Sequence, residues 1–231
     1  MATTLVNLRA RARSRADMIS STFVSDADLD TWLNQGYAEL YDMVVNAFEN
    51  YFTNPVPTSL TISSGNTVSL PADFYKLDGL DFSINGLWTE VFEFDFHDRN
   101  RRGTSTWLLN VDLVRSGRKY RIIGDSLLIT PDSDAVGTYR LFYTPAPTFL
   151  TDDDQTLPAS LSKFGWDEYI VLYAAERMLS KEESSVVDVV RERQEIANRI
   201  TQMAANRQVS QSETVQNVSG TELWPWGWYG Y

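Results

Sequence analysis

The sequence predicts an α+β fold: a helical bundle body, an antiparallel β module inserted into it, and a flexible aromatic C-terminal arm. Three observations carry that reading. Near both ends of the chain apolar residues recur at three- and four-residue spacing, the period of an α-helix. Between Thr58 and Tyr143 the period falls to two, the spacing of half-buried strands. After Arg207 the chain turns polar, then aromatic, with no helical period. The implied division assigns 1–57 and 145–206 to the helical body, 58–144 to the β insertion and 207–231 to the arm.

Thr3 or Thr4 can cap a first helix reaching about Ser20, with Leu5, Leu8, Ala12, Ala16 and Ile19 on one face. Ser25 opens a second helix, with Asp26, Asp28 and Asp30 in its first turns. Side-chain oxygens there accept from free backbone N–H groups, and negative charge suits the positive end of the helix. The triplet has a faint look of a calcium loop. Thr31 stands where such a loop needs glycine and Tyr37 where it needs a bidentate glutamate, so the capping role is preferred. Leu29, Trp32, Leu33, Leu40, Val44 and Phe48 form the buried stripe, and Pro55 and Pro57 stop the helix.

In the alternating region, residues 60–62 and 67–70 flank Ser64-Gly65-Asn66, residues 79–84 and 87–91 flank Asn85-Gly86, and residues 120–123 and 126–130 flank Gly124-Asp125. Each spacing is a hairpin signal. Residues 138–143 make a final strand, and 92–107 read as a loop. Pro145, Pro147 and the run 151–156 lead back to helices. Residues 164–203 then form a helical hairpin, turned at the polar run 180–185. Residues 169–175 are apolar almost all round, which demands cover on more than one flank. Tyr169 and Tyr173 are therefore the candidate subunit-interface residues.

Net charge is −11 with no cysteine, which excludes disulfides and thiolate chemistry and makes tight binding to nucleic-acid phosphates a poor prospect. Residues 151–190 hold nine acidic and three basic side chains. Arg9, Arg11, Arg13 and Arg15 give the start the opposite bias, which reads as two solvated faces rather than as subunits meeting end to side. Apolar runs are too short to span a membrane, and arginines stand where an export signal needs its apolar core. His97 is the one histidine, so a histidine-rich metal site is excluded. No nucleophile-elbow serine and no glycine-rich phosphate loop occurs. The expectation is a protein without enzyme activity, cofactor or metal.

The arm places Leu223, Trp224, Trp226, Trp228, Tyr229 and Tyr231 beyond a polar tether. Rings left in water on a tether are an aggregation hazard, and aromatic residues anchor interfaces. These six are the candidate partner-docking residues, a reading preferred to the arm folding back on its own subunit.

Residues 21–30, with Trp32-Leu33-Asn34-Gln35 and residues 37–41, resemble the opening helices of phage head-to-tail adaptor (connector) proteins. Residues 70–75 are similar to the lead into their β module, and residues 143–147, 157–158, 167–171 and 178–184 to their closing elements. The resemblance covers about residues 5–205. It implies a homo-oligomeric ring in the virion neck, commonly of twelve copies, docked under the portal vertex. Such a ring extends the DNA channel, lets DNA pass without specific binding and gives the tail or nozzle protein a platform. The arm is not part of that resemblance; its docking on the portal is an expectation from the residues alone, and Asp152, Asp153, Asp154, Glu182 and Glu183 are the expected channel-lining carboxylates. The alternative is a tail-tip or receptor-binding module that grips glycans through exposed aromatics.

Overall fold

The computed structural model describes residues 3–19, 23–48, 50–98 and 117–207. Helices α1 (Leu5–Arg15) and α2 (Asp26–Ala47) come first. Strands β1 (Thr58–Ile62), β2 (Thr67–Ser69), β3 (Phe74–Ile84), β4 (Leu87–Glu90), β5 (Phe92–Glu93), β6 (Lys119–Ile123), β7 (Ser126–Thr130) and β8 (Gly137–Pro145) follow. Helices α3 (Ala159–Lys163), α4 (Asp167–Lys181) and α5 (Val187–Arg207) complete the described chain. The protein is thus mixed α+β, with two sheets that are mostly antiparallel.

The helices start where their caps dictate. Thr4 Oγ1 accepts from the N–H of Asn7, and Ser25 Oγ from that of Asp28. α1 stops at Arg15, short of the predicted end at Ser20. Asp17 takes φ +56°, and the N–H of Met18 reaches back to the Arg13 carbonyl, closing a left-handed cap that returns Met18 to the core. Ile19, expected on the buried face, is consequently exposed. The helical hairpin of α4 and α5 turns within 180–185 as expected. The short α3 escapes a periodicity search because it has barely one turn.

Leu5, Leu8, Leu29, Leu33, Leu40, Ile170 and Met178 are fully buried in one core shared by α1, α2, α4 and α5. Each such side chain contributes about 1.5–3 kcal/mol by leaving water. A separate core lies between the sheets, where Leu80, Phe82, Tyr139 and Leu141 of one meet Leu127 and Ile129 of the other.

The strand order is β1-β8-β3-β4 in the first sheet and β2-β7-β6-β5 in the second. Two expected hairpins are present. Ile84 pairs with Leu87 across Asn85 and Gly86, both at positive φ (+52° and +83°), and Ile123 pairs with Ser126. The third is not. β1 pairs with β8 and β2 with β7, so the turn at 64–66 carries the chain from one sheet to the other. Alternation specifies which face of a strand is buried, and that demand is met equally by a hairpin or by two facing sheets. β5 pairs with β6 in parallel, against the expectation of antiparallel pairing throughout, because β5 has crossed from the first sheet to the edge of the second. At Gly137 (φ +149°) an added Cβ would lie 2.4 Å from the Phe82 ring, so no larger residue fits there.

The two cores meet at a polar, aromatic seam. The Tyr41 hydroxyl donates to the Pro145 carbonyl, and its ring stacks on Phe52 at 4.4 Å. Thr53 and Thr144 hydroxyls both donate to Asp78 Oδ2, at 2.5 and 2.8 Å. Tyr75 donates to Asp42 at 2.6 Å, a bond that helps push its phenol up to about 12.

Candidate assembly surfaces

The arginines of α1 hold the helices together. Residues two apart on an α-helix lie on nearly opposite sides, and residues four apart share a side. Arg9 and Arg13 accordingly face α2, while Arg11 and Arg15 face α4. Arg9 donates to Asp30 at 2.7 Å and to Asp153 in the β8–α3 connection at 2.6 Å. Arg13 donates to Asp26 at 2.8 Å and to the Val24 carbonyl at 2.9 Å. Arg11 bonds Asp167 and Glu168 at the start of α4. Arg15 pairs with Glu168 at 2.6 Å and Glu192 of α5 at 3.5 Å. The four arginines are therefore not a solvated face: each is paired within the chain, while Asp152, Asp154, Glu182 and Glu183 stay exposed.

These pairs show in the electrostatics. The Arg9 guanidinium is held above its ordinary range by its hydrogen bond to Asp30. Asp26 is held below the usual carboxylate range by Arg13, and Asp28 by Lys181, 3.1 Å away. Asp26, Asp28 and Asp30 thus answer three different cations, which is a capped helix start and not a shared ligand cage. Among the described residues no group of acidic or histidine side chains converges as a metal site would require.

The candidate channel residues fall into two groups. Asp152, Asp153 and Asp154 lie exposed beside α1, and the Arg9 bridge ties Asp153 to Asp30. Glu182 and Glu183 lie exposed in the α4–α5 turn, which Lys181 ties to Asp28. Asp28 and Asp30 project from opposite sides of α2, so the two acidic groups flank the first turns of that helix. A lumen lined by both needs that end of α2 pointing into it.

Glu183 adopts φ +61°, a left-handed conformation unfavourable for any residue with a Cβ. It closes α4 through the bonds Glu183 N–H to Ser180 and Ser184 N–H to Leu179. Glycine has no Cβ penalty there but loses more freedom on folding. Glu183→Gly should therefore raise stability by about 0.5–1 kcal/mol, measured by urea unfolding. An unchanged or lower stability would mean that the glutamate side chain contributes an interaction of its own.

Tyr169 and Tyr173 are buried inside their own chain. The Tyr169 hydroxyl donates to Glu39 at 2.8 Å, and burial with that carboxylate holds the phenol well above its usual range. Tyr173 packs where α4 comes closest to α2: a Cβ on Gly36 would lie 3.0 Å from it. The Arg193 guanidinium of α5 covers both rings, 5.5 and 5.2 Å from their centroids. The cover demanded by an all-round apolar helix comes from α1, α2 and α5 of the same chain.

Leu223, Trp224, Trp226, Trp228, Tyr229 and Tyr231 lie outside the described residues. Sequence reasoning passed over the β3–β4 tip, where Leu87 is 74% exposed and Ile84 and Trp88 stand half exposed beside it. The available signal was an apolar pair directly after an Asn-Gly turn, where polar residues are the rule. Trp88 is covered on one face by Arg140, 3.7 Å from its centroid, which leaves Leu87 as the side chain offered outward. His97 is exposed, and its N–H donates to Asp95. No helix among the described residues is long and apolar enough to cross a membrane.

No curated protein matches the chain. Residues 3–219 match the family model described as SU10 adaptor protein, a span that takes in both cores and every element above. The chain therefore belongs to the SU10 adaptor family of phage head-to-tail adaptors, structural proteins of the virion and not a class of enzymes.

Proposed function

We propose that copies of this chain close into a ring, of twelve subunits as such adaptors commonly form, that docks beneath the portal, continues the DNA channel and carries the tail or nozzle protein. Family membership over residues 3–219 is the observation that carries this reading. In it, residues 1–57 and 145–206 act as one body, 58–144 as the β insertion and 207–231 as the portal-docking arm. The arginine clamps support the reading, because a subunit squeezed between neighbours needs helices that do not slide. The exposed β3–β4 tip supports it as well, since an apolar loop end suits a heterologous contact of the kind that closes rings. Tyr169 and Tyr173 then serve the interface from beneath, by fixing α4 against α2. The acidic residues 152–154 and 182–183 repel passing phosphates, so DNA slides without sticking. The receptor-binding alternative is not favoured by the family.

The test is the native mass and electron microscopy of the chain bound to portal. A closed ring of several copies is expected. Single subunits scattered on the portal would overturn the proposal, whereas a free monomer in solution would not, since the portal can template closure.

A further inference from the structure

We infer that the groove beside Trp166 is a seat for the C-terminal arm of the same chain, occupied in the free subunit. The groove, about 540 Å³, opens between the end of α2, α3 and α5. Phe48, Tyr51 and Phe164 surround the Trp166 ring with centroids 5.4, 5.8 and 5.0 Å away. Met203 closes one side and Lys163 stands at the rim. Trp166 itself is 1% exposed, and its Nε1–H has no acceptor among the described residues. A buried N–H without an acceptor is unfavourable and rare, so a group that completes it is strongly selected. A main-chain carbonyl of the occupant is the acceptor that would complete it.

The occupant follows from where the chain goes. Met203 lies four residues before the end of α5, about 6 Å along the helix. The arm therefore leaves the helix at the groove's edge. Fifteen residues, 208–222, precede its aromatic segment and can span about 50 Å, far more than a return to the groove requires. A tether of this kind presents its end at millimolar effective concentration, which favours the arm of the same chain over that of another copy. Residues 208–231 include Glu213 and Glu222 and no lysine or arginine, which complements Lys163 at the rim and Arg199, whose guanidinium donates to the Phe164 carbonyl. Trp224, Trp226, Trp228, Tyr229 and Tyr231 supply rings for an aromatic wall. Seated there, the rings are hidden until the portal competes for them. That release step rests on the portal-docking reading; the seat does not.

The indole Nε1–H of Trp166 is a direct reporter, identified by the resonance that Trp166→Phe removes. In the full chain at monomeric concentration, deleting residues 223–231 should move that resonance and raise its hydrogen exchange. A synthetic peptide of residues 220–231 added to the truncated chain should restore it. Trp166→Phe keeps an aromatic ring and removes the donor, so it should weaken peptide binding about fivefold. An identical Trp166 signal in full and truncated chains overturns the inference. So does a peptide that binds equally well to the Trp166→Phe variant, or a shift that appears only at concentrations where copies associate. Portal attachment is measured separately. If truncation leaves Trp166 unmoved yet abolishes attachment, the seat falls and the docking role stands. If truncation moves Trp166 and leaves attachment intact, the seat stands and the docking role falls.

Discussion

Arg11→Ala lowers the stability of the folded subunit by about 2–3 kcal/mol, more than loss of Arg13. The reason is the carboxylate left behind. Asp167 is 6% exposed, and Arg11 is the cation on it; Thr3 supplies one further hydrogen bond at 3.0 Å. Removing the partner of a buried charge costs about 3–5 kcal/mol. The Arg11 side chain is itself more than a third exposed, and that screening brings the expected loss down to the value given. Burial alone would lower the Arg11 pKa, yet its bonds to Asp167 and Glu168 leave it raised. Arg13→Ala is the control. Its partner Asp26 lies 66% exposed and rehydrates when the pair breaks, so that ion pair accounts for less than about 1 kcal/mol. A double-mutant cycle read by urea unfolding should give strong coupling for Arg11 with Asp167 and weak coupling for Arg13 with Asp26. Equal, small losses would show that the clamp contributes position and little stability.

Deleting residues 223–231 abolishes attachment to portal-containing capsids while the subunit stays folded. Among the described residues the helical core ends with Ile200 and Ala204 and both cores draw on elements that end by Arg207, so the truncated chain keeps every one of those elements. The rings it removes are the kind that carry interface energy: large, amphipathic and few. Cosedimentation with portal should fall by at least about 100-fold in affinity, since several aromatic anchors at 1–2 kcal/mol or more are lost together. Unchanged docking would assign the arm to another partner. An unfolded truncated chain would place it in its own core.

The elements that were legible are those whose signal is local. Ser25 and its aspartates, the Asn85-Gly86 turn and the polar break at 180–185 each state their geometry within a few residues. Pairing across sheets was not legible. Leu60 and Ile62 alternate in the same way whether β1 meets β2 or β8, and nothing in five residues distinguishes them. The arginine clamps were missed for a related reason. Arg9, Arg11, Arg13 and Arg15 look like a solvated charge run until Asp30, Asp153, Asp167 and Glu168 arrive from up to 157 residues away. Tyr169 and Tyr173 were recognised as needing cover, but an apolar face does not say whose chain supplies it.

The partners of α1 carry a consequence for synthesis. Its backbone bonds Gln155, its charges bond Asp153, Asp167 and Glu168, and α2 packs its stripe on α4. At about 5–20 residues per second, the first two helices leave the ribosome roughly seven to twenty-seven seconds before α4 is complete. Over that interval Leu29, Leu33, Leu40 and Val44 lack the cover of α4, and β1 waits in the same way for β8. Neither core can close by halves. A chain terminated before α4 therefore cannot close the helical core, and the stripe of α2 stays uncovered until α4 has been made.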